Sequence, residues 1–353
     1  MNISVTDARA LFTKTLADVY QERNKPTNFL RSLFKSVTAP TKLISIEVER
    51  MGEQVAVDVF RGTEGNRNSF SLGTEKLFLP PMYREFFDAT ELDLYDRVLG
   101  SQGNANVSLF TALMNKVADR IGTLQDMIDR AKELQCAQVL TTGIVTLKSG
   151  VNIDYKRKAA SLVDLNVGGG GGYFSTNSNV FKQFENACIF LRTVGRCPDG
   201  TFTAILGATA LQDLLANTTF TARQNLFNMA LDQVIGPVRG TEGCTFHGII
   251  TAGSYKVQLF AYPQTYDAPV TKTPTYYIDP KQVIVMPAAP RFIMAHAAVP
   301  QLIDEPGSAP IQGEYVVGEF KDPRLVAHIV DIQSAPLAIP SAVDHMYTMK
   351  AVA

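Results

Sequence analysis

The sequence predicts an α+β protein: an extended two-stranded arm, then one long helix, then a mixed lobe of short helices and strands. Three observations predict it. From Ile44 onward, apolar and polar residues alternate, at Ile44, Ile46, Val48, Val55, Val57 and Val59, the period-two mark of half-buried strands. Between Asn106 and Leu140, Phe110, Met114, Val117, Ile121, Leu124, Ile128, Ala131 and Leu134 step by four and three, the mark of a helix. From residue 174 onward, helical and strand patterns follow one another at short spacing, as in a mixed layer architecture.

At the N-terminus, Ala8, Leu11, Phe12, Leu16, Val19 and Tyr20 fall at helical spacing, Asn28 to Phe34 add another helical turn, and the Thr38-Ala-Pro-Thr41 stretch breaks the pattern. This is either a packing helix or an arm reaching along a neighbour. The alternating strands then lead to a polar turn containing Gly62, Gly65, Asn66 and Asn68, and a second extended run stops at Pro80-Pro81. An isolated two-stranded hairpin is marginal in water, so the arm is expected to lie on a neighbouring molecule. Arg61, Glu64, Arg67, Glu75 and Lys76 mix signs at and near its tip. Exposed ion pairs contribute only about 0–1 kcal/mol. These five residues are therefore expected to set register and partner choice between subunits.

Asn106 or Ser108 caps the start of the long helix, and Gly143 ends it. Lys116, Asp119, Arg120, Gln125, Asp126, Asp129, Arg130 and Glu133 lie off the apolar stripe. At its length the helix spans roughly 50 Å. A coiled-coil segment is the ordinary reading of such a stripe. The stripe lasts only about three and a half heptads, however, and strands flank both ends, which favours a spine for a sheet and for neighbouring subunits. Ile144–Leu147 and Val151–Tyr155 read as strands about a Ser149-Gly150 turn.

Five glycines follow, Gly168 to Gly172. They do not form a dinucleotide fingerprint, because position 173 is Tyr, and no Gly-Lys-Ser/Thr follows to make a phosphate loop. The run reads as a flexible or close-packed loop between two lobes. In the second lobe, Ser178 or Asn179 caps a helix carrying Phe181, Phe184, Ala187, Leu191 and Val194. A strand at Thr201–Leu206, helices at Thr209–Ala216 and about Thr221–Val234, and strands at Thr245–Ile250, Val257–Tyr262, Thr275–Ile278 and Gln282–Val285 complete it. Val316 to Ile332, and then QSAPLAIPSAVDHMYTMKAV, returns to alternating strand character.

Chemistry is sparse. His247, His296, His328 and His345 form no i, i+4 pair, none lies near a cysteine, and His328 sits in a strand pattern. There is no Gly-x-Ser-x-Gly elbow and no His-Glu-x-x-His. Glu85, Asp88, Glu91, Asp93 and Asp96 cluster beside Arg84 and Arg97 and read as a solvated face or as ion pairs between subunits. Cys136, Cys188, Cys197 and Cys244 lack paired spacing and are expected reduced and buried. No catalytic residue, metal site or cofactor is expected, and the chain is not read as an enzyme.

The chain has 353 residues, 46% of them hydrophobic, and a formal net charge of -1, so no strongly basic surface points to nucleic-acid readout. The N-terminus has no secretory pattern, and no run approaches the ~18 apolar residues of a membrane span. A cytoplasmic setting without a membrane is expected.

The segments at 44–99, 134–158 and 275–340, including GIVTLKSGVNIDYKRKAA, TYYIDPKQVIVMP and DPRLVAHIVDIQSAPLAIP, resemble the tailed-phage major capsid proteins of the lambda capsid protein E family. The resemblance implies a Hong Kong 97-like fold. It implies an N-terminal arm over 1–42, an extended loop over 43–85, and a peripheral domain with a spine helix over 86–163. An axial domain over 164–310 and a return to the peripheral domain over 311–353 follow. The glycine run departs from the family pattern. The implied function is self-assembly into hexamers and pentamers of an icosahedral phage head enclosing double-stranded DNA without sequence-specific binding. The implied partners are copies of itself, a portal, a scaffold and a decoration protein. The implied location is the virion, assembled in the host cytoplasm. A tail-tube subunit or a soluble α/β oligomeric enzyme are the alternatives; the long helix argues against the first, and the lack of a nucleophile, base or metal against the second.

Overall fold

A computed structural model describes residues 25–48, 74–90, 109–147, 152–166, 172–174, 178–226, 238–239, 243–269, 271–302, 308–322 and 327–353. The expected N-terminal helix at 8–20, the hairpin tip, the cap residues Asn106 and Ser108, the turn at 149–150, four of the five glycines and the acidic residues 91–96 lie outside the described residues.

A short helix α1 (Phe29–Ser32) leads into strand β1 (Phe34–Thr38). The expected arm is present at its root, where β2 (Ile44–Val48) pairs antiparallel with β3 (Thr74–Phe78), with Ile44 opposite Phe78 and Val48 opposite Thr74. Strand β4 (Tyr83–Thr90) follows, and then the long helix α2 (Leu109–Thr142), 34 residues in all. Gly143 stops it in the left-handed region at φ 75°, donating its N–H to the Val139 carbonyl at 3.0 Å. The hairpin after the helix is β5 (Ile144–Val145) with β6 (Ile153–Asp154), followed by β7 (Leu162–Asp164).

Helix α3 (Val180–Thr193) is capped by the Asn179 side chain, which accepts from the Lys182 N–H at 3.3 Å. Strand β8 (Thr201–Leu206) and helices α4 (Ala208–Ala216) and α5 (Thr218–Leu226) come next. Then follow β9 (Val238–Arg239), β10 (Thr245–Ala252), β11 (Tyr255–Ala261), β12 (Thr265–Asp267), β13 (Pro274–Tyr276) and β14 (Gln282–Pro287). Strands β15 (Phe292–His296), β16 (Val299–Leu302), β17 (Ser308–Ile311), β18 (Val316–Asp322), β19 (Ala327–Ser334), β20 (Pro336–Pro340) and β21 (Tyr347–Lys350) close the chain.

The largest sheet has seven strands in the order β7-β21-β14-β8-β11-β10-β9. Helices α3 to α5 pack on one face over a core of Phe184, Leu191, Phe202, Leu206, Val257 and Val285. The other face shares a second core with the end of α2 and with the three-stranded sheet β1-β15-β20. A third sheet, β18-β19-β4, also lies against α2. The segment 311–353 therefore divides: β18 and β19 join β4, β20 joins β15, and β21 inserts between β7 and β14 of the large sheet. The described end of the glycine run is close-packed, since a Cβ on Gly172 would collide with the Leu165 carbonyl.

Burial around α2 differs from the predicted stripe. Ile128, Cys136, Val139 and Leu140 are buried, as are Lys132, Glu133 and Gln135, whereas Ile121 and Leu124 are only half-buried. The last turns are enclosed by sheets on several sides, so a one-sided stripe does not describe them. Leu140→Ala should therefore destabilise the subunit by about 2–5 kcal/mol, and Leu124→Ala by less than half as much. Urea unfolding of the two variants decides it, and equal losses would contradict this burial.

Candidate assembly interface

The root of the hairpin has two unlike faces. On one, Ile44 is buried and the Phe78 ring lies 5.7 Å from the Tyr155 ring. Tyr155 is itself fixed by donating its hydroxyl to the Ala338 carbonyl at 2.7 Å, and burial raises its pKa. On the other face Leu43, Leu77 and Leu79 are exposed, Leu77 at 63%. Farther along the chain, past the prolines, Met82 and Phe86 are exposed too, Phe86 at 61%. Singly exposed apolar residues are ordinary; five of them fall on this ribbon, its flanks and the next strand.

Beside Phe86 lies a fixed ion pair. Arg84 and Phe86 are two apart on β4 and share a face, and their register partners are Gln333 and Asp331 of β19. Arg84 Nε donates to Asp331 Oδ2 at 2.7 Å, and Gln333 Nε2 donates to the same oxygen at 2.6 Å. Asp331 is 2% exposed while the Arg84 side chain stays half-exposed. The carboxylate is thus compensated from the solvent side, leaving a guanidinium at the margin of the apolar strip.

Of the residues the sequence singled out, Arg61, Glu64 and Arg67 lie outside the described residues, and Glu75 and Lys76 sit on β3 in register with Glu47 and Ile46. Sequence reasoning singled out these charges, and the exposed Leu77 and Leu79 beside them went unremarked. The signal was present: Leu77-Phe78-Leu79 is an unbroken apolar run in a ribbon that can bury only one face.

A second cluster, buried against α2, was also missed. Glu133 accepts from the backbone N–H groups of Leu30 and Arg31 at 2.8 and 2.9 Å and from the Tyr262 hydroxyl at 2.7 Å. Asp129 accepts from Arg31 Nη1 at 2.8 Å and from the Tyr315 hydroxyl. Lys132 Nζ lies 3.0 Å from Glu314 and 3.7 Å from the centre of the Tyr315 ring, and Glu314 also pairs with Arg31. Burial foremost, then Arg31, lowers the Lys132 pKa to about 7 against the pull of Asp129. The cluster ties α1, α2, Tyr262 and the stretch before β18 together; Arg31 and Lys132 meet the carboxylates of Asp129 and Glu314, and Glu133 is held by three uncharged donors.

Among the described residues no three His, Cys, Asp or Glu side chains gather as a metal site. The cysteines are buried and free, and burial pushes the thiols of Cys136, Cys188 and Cys197 up, Cys188 to about 12, which makes them poor nucleophiles. A cleft of about 440 Å³ bordered by Lys25, Thr27, Arg130, Gln264 and Tyr277 has no carboxylate, imidazole or thiol among the described residues of its lining. No described helix is long and apolar enough to cross a membrane.

The profile of a family described as phage major capsid protein E matches residues 12–351. No curated protein matches in sequence. Among solved structures, one described as a capsid protein of a prophage of E. coli CFT073 aligns with a TM-score of 0.61 at 15% identity, covering 100% of both chains. The asymmetric unit of the bacteriophage PhiM1 mature capsid aligns with a TM-score of 0.49 at 11% identity over 94% of this chain and 89% of that one. A phage-related protein from Bordetella bronchiseptica RB50 aligns with a TM-score of 0.49 at 14% identity over 97% and 96%.

Proposed function

The chain belongs to the phage major capsid protein E family, and from that membership we propose that the exposed face of its hairpin root is where copies dock in the head shell. It is a major capsid protein with the Hong Kong 97-like fold, and copies of it build the shell. The observation that carries the docking reading is the ribbon with one face in the core and one apolar face outside, Leu43, Leu77 and Leu79, running on to Met82 and Phe86. A lone subunit gains nothing from that face; a neighbour that covers it removes the apolar area from water. Arg84 at the margin and the charges at 61, 64, 67, 75 and 76 set the register of the contact, since rim charges select partners more than they add affinity.

The seven-stranded sheet with α3 to α5 serves as the axial domain, and α2 with its two three-stranded sheets serves as the peripheral domain. Subunits gather as hexamers and pentamers in the host cytoplasm, aided by a scaffold, completed by a portal, and accompanied by a decoration protein. The shell encloses double-stranded DNA without reading its sequence. The net charge of -1 supports this, because a container needs no strongly basic surface. The 34-residue helix at the centre of the subunit does not favour a tail-tube subunit.

Negative-stain microscopy of the purified protein tests the reading. Closed shells are expected. Replacing residues 62–69 with a two-residue Asn-Gly turn should abolish or weaken them while the subunit keeps its circular dichroism. Only small oligomers from the natural sequence, or normal shells of unchanged thermal stability from the shortened loop, would overturn it.

A further inference from the structure

Two edge strands of the subunit carry matching chemistry. Strand β1 is an edge of the β1-β15-β20 sheet, paired parallel with β15 from Phe34↔Phe292 to Thr38↔His296. Among the described residues no strand lies along its other side. Phe34 is buried, whereas Lys35, Ser36, Val37 and Thr38 are exposed, Val37 at 43%. Strand β3 has β2 on one side and no described strand on the other. An open edge presents a row of N–H and C=O groups to any strand that comes alongside, and natural proteins blunt or cover such edges. A strand from another molecule covers one by adding to the sheet.

We infer that the open edge of β1 receives β3 of a second copy, in parallel, with Lys35 opposite Glu75 and Val37 opposite Leu77. The ribbon β2-β3 of one copy and the β1-β15-β20 sheet of the next then form one continuous sheet. This rests on the docking reading above and names the surface that the ribbon meets. Within one copy the two edges belong to separate sheets and do not pair, so the partner is a second copy, which a shell built of this chain places alongside.

The register follows from strand geometry. Residues two apart share a face of a strand. Lys35 and Val37 therefore lie on one face of β1, and Glu75 lies on the face of β3 on which Leu77 is exposed. Parallel pairing matches the cation to the acid and the two apolar residues to each other at once. No antiparallel register does both. Setting Lys35 against Glu75 brings Val37 to Gly73, and setting Val37 against Leu77 brings Lys35 to Leu79. Inside the ribbon, moreover, Glu75 is the register partner of Glu47, and like charges directly opposite destabilise a sheet. A lysine from the neighbour offsets that repulsion. Lys35 is exposed and has no ion pair among the described residues. Contact between Val37 and Leu77 removes from water the apolar area that each leaves exposed in the lone subunit.

Val37→Cys and Leu77→Cys, placed in separate chains, test the pairing. Cys136, Cys188, Cys197 and Cys244 are buried, so a short bis-maleimide reads the two new thiols. Shells assembled from an equal mixture should yield a covalent dimer several-fold above the level in shells of either variant alone. Shells in which the mixture gives no such excess overturn the pairing and leave the docking face standing, whereas a natural protein that forms no shells removes the docking reading and the pairing with it. Charge exchange reads the same register without a thiol, and decides where a cysteine variant does not assemble. Lys35→Glu and Glu75→Lys should each lower shell yield several-fold with unchanged circular dichroism of the subunit, and the two in one chain should restore it. A double exchange that restores nothing overturns the pairing.

Discussion

Leu77→Asp combined with Phe86→Asp should abolish shell assembly while leaving a folded subunit. Both side chains are mostly exposed, at 63% and 61%, and substitutions at such positions usually change subunit stability by about 0.5 kcal/mol or less. If a neighbour buries them, each loses about 1.5–3 kcal/mol of apolar transfer, and each new carboxylate adds a desolvation cost. Two substitutions then weaken one contact by on the order of 3–6 kcal/mol, a factor of ~100 or more. A closed shell repeats the contact at every subunit, so a loss tolerable in one dimer is prohibitive for the particle. Microscopy and sedimentation read assembly, and circular dichroism and urea unfolding read the subunit. Shells of normal yield from the double variant would place the strip away from any neighbour. A subunit that unfolds at lower urea would show instead that Leu77 and Phe86 stabilise the monomer.

What the sequence made legible follows from local periodicity. The long helix and its stop at Gly143, the strands at 201–206 and around 282, and the two strands at the root of the arm each carry their own pattern over five or more residues. The strands that escaped are those whose identity is set by distant partners. Strand β20, Pro-Leu-Ala-Ile-Pro, was legible only as part of the closing strand-like segment; its full burial, set by β15 along one edge and by the Gln135 side chain on the backbone of Pro336 and Ala338, was not. Strand β1 is parallel to β15 across more than 250 residues, a pairing no local pattern announces. The charged cluster on α2 failed for a related reason. Glu133 lies off the apolar stripe and reads as a solvent-facing acid, yet it is buried because α1 and Tyr262 bring it three donors. Tertiary partners, not helical periodicity, decide where a paired charge can sit.

Arg157→Ala should be among the most destabilising single changes at a charged residue of this chain. The side chain joins the end of the spine helix to the large sheet. Nη1 donates to the carbonyls of Leu140 and Thr141 at 2.9 and 3.1 Å, which the helix terminus leaves without intrahelical partners. Nη2 donates to the Ser161 carbonyl at 3.1 Å and to Thr348 Oγ1 of β21 at 2.9 Å, and Nε donates to Ser161 Oγ at 2.8 Å. All five N–H donors of the guanidinium are thus used. Burial lowers its pKa to about 10, with Asp344 opposing, so it remains charged at pH 7 and adds a favourable cation at a helix C-terminus. Alanine leaves several buried acceptors unmet at about 1–3 kcal/mol each, a total on the order of 3–5 kcal/mol. Arg157→Lys keeps the charge but cannot reach the helix end, Ser161 and Thr348 at once, so it should recover less than half of the loss. Thr348→Val, which removes the acceptor of Nη2 and also the Thr348 Oγ1 bond to the Leu140 carbonyl at 3.1 Å, should cost about 1–2 kcal/mol. Urea unfolding of the three variants orders them as alanine, lysine, valine from most to least destabilised. If lysine restored full stability, the charge at the helix end would be the whole contribution and the bridge to β21 would be dispensable.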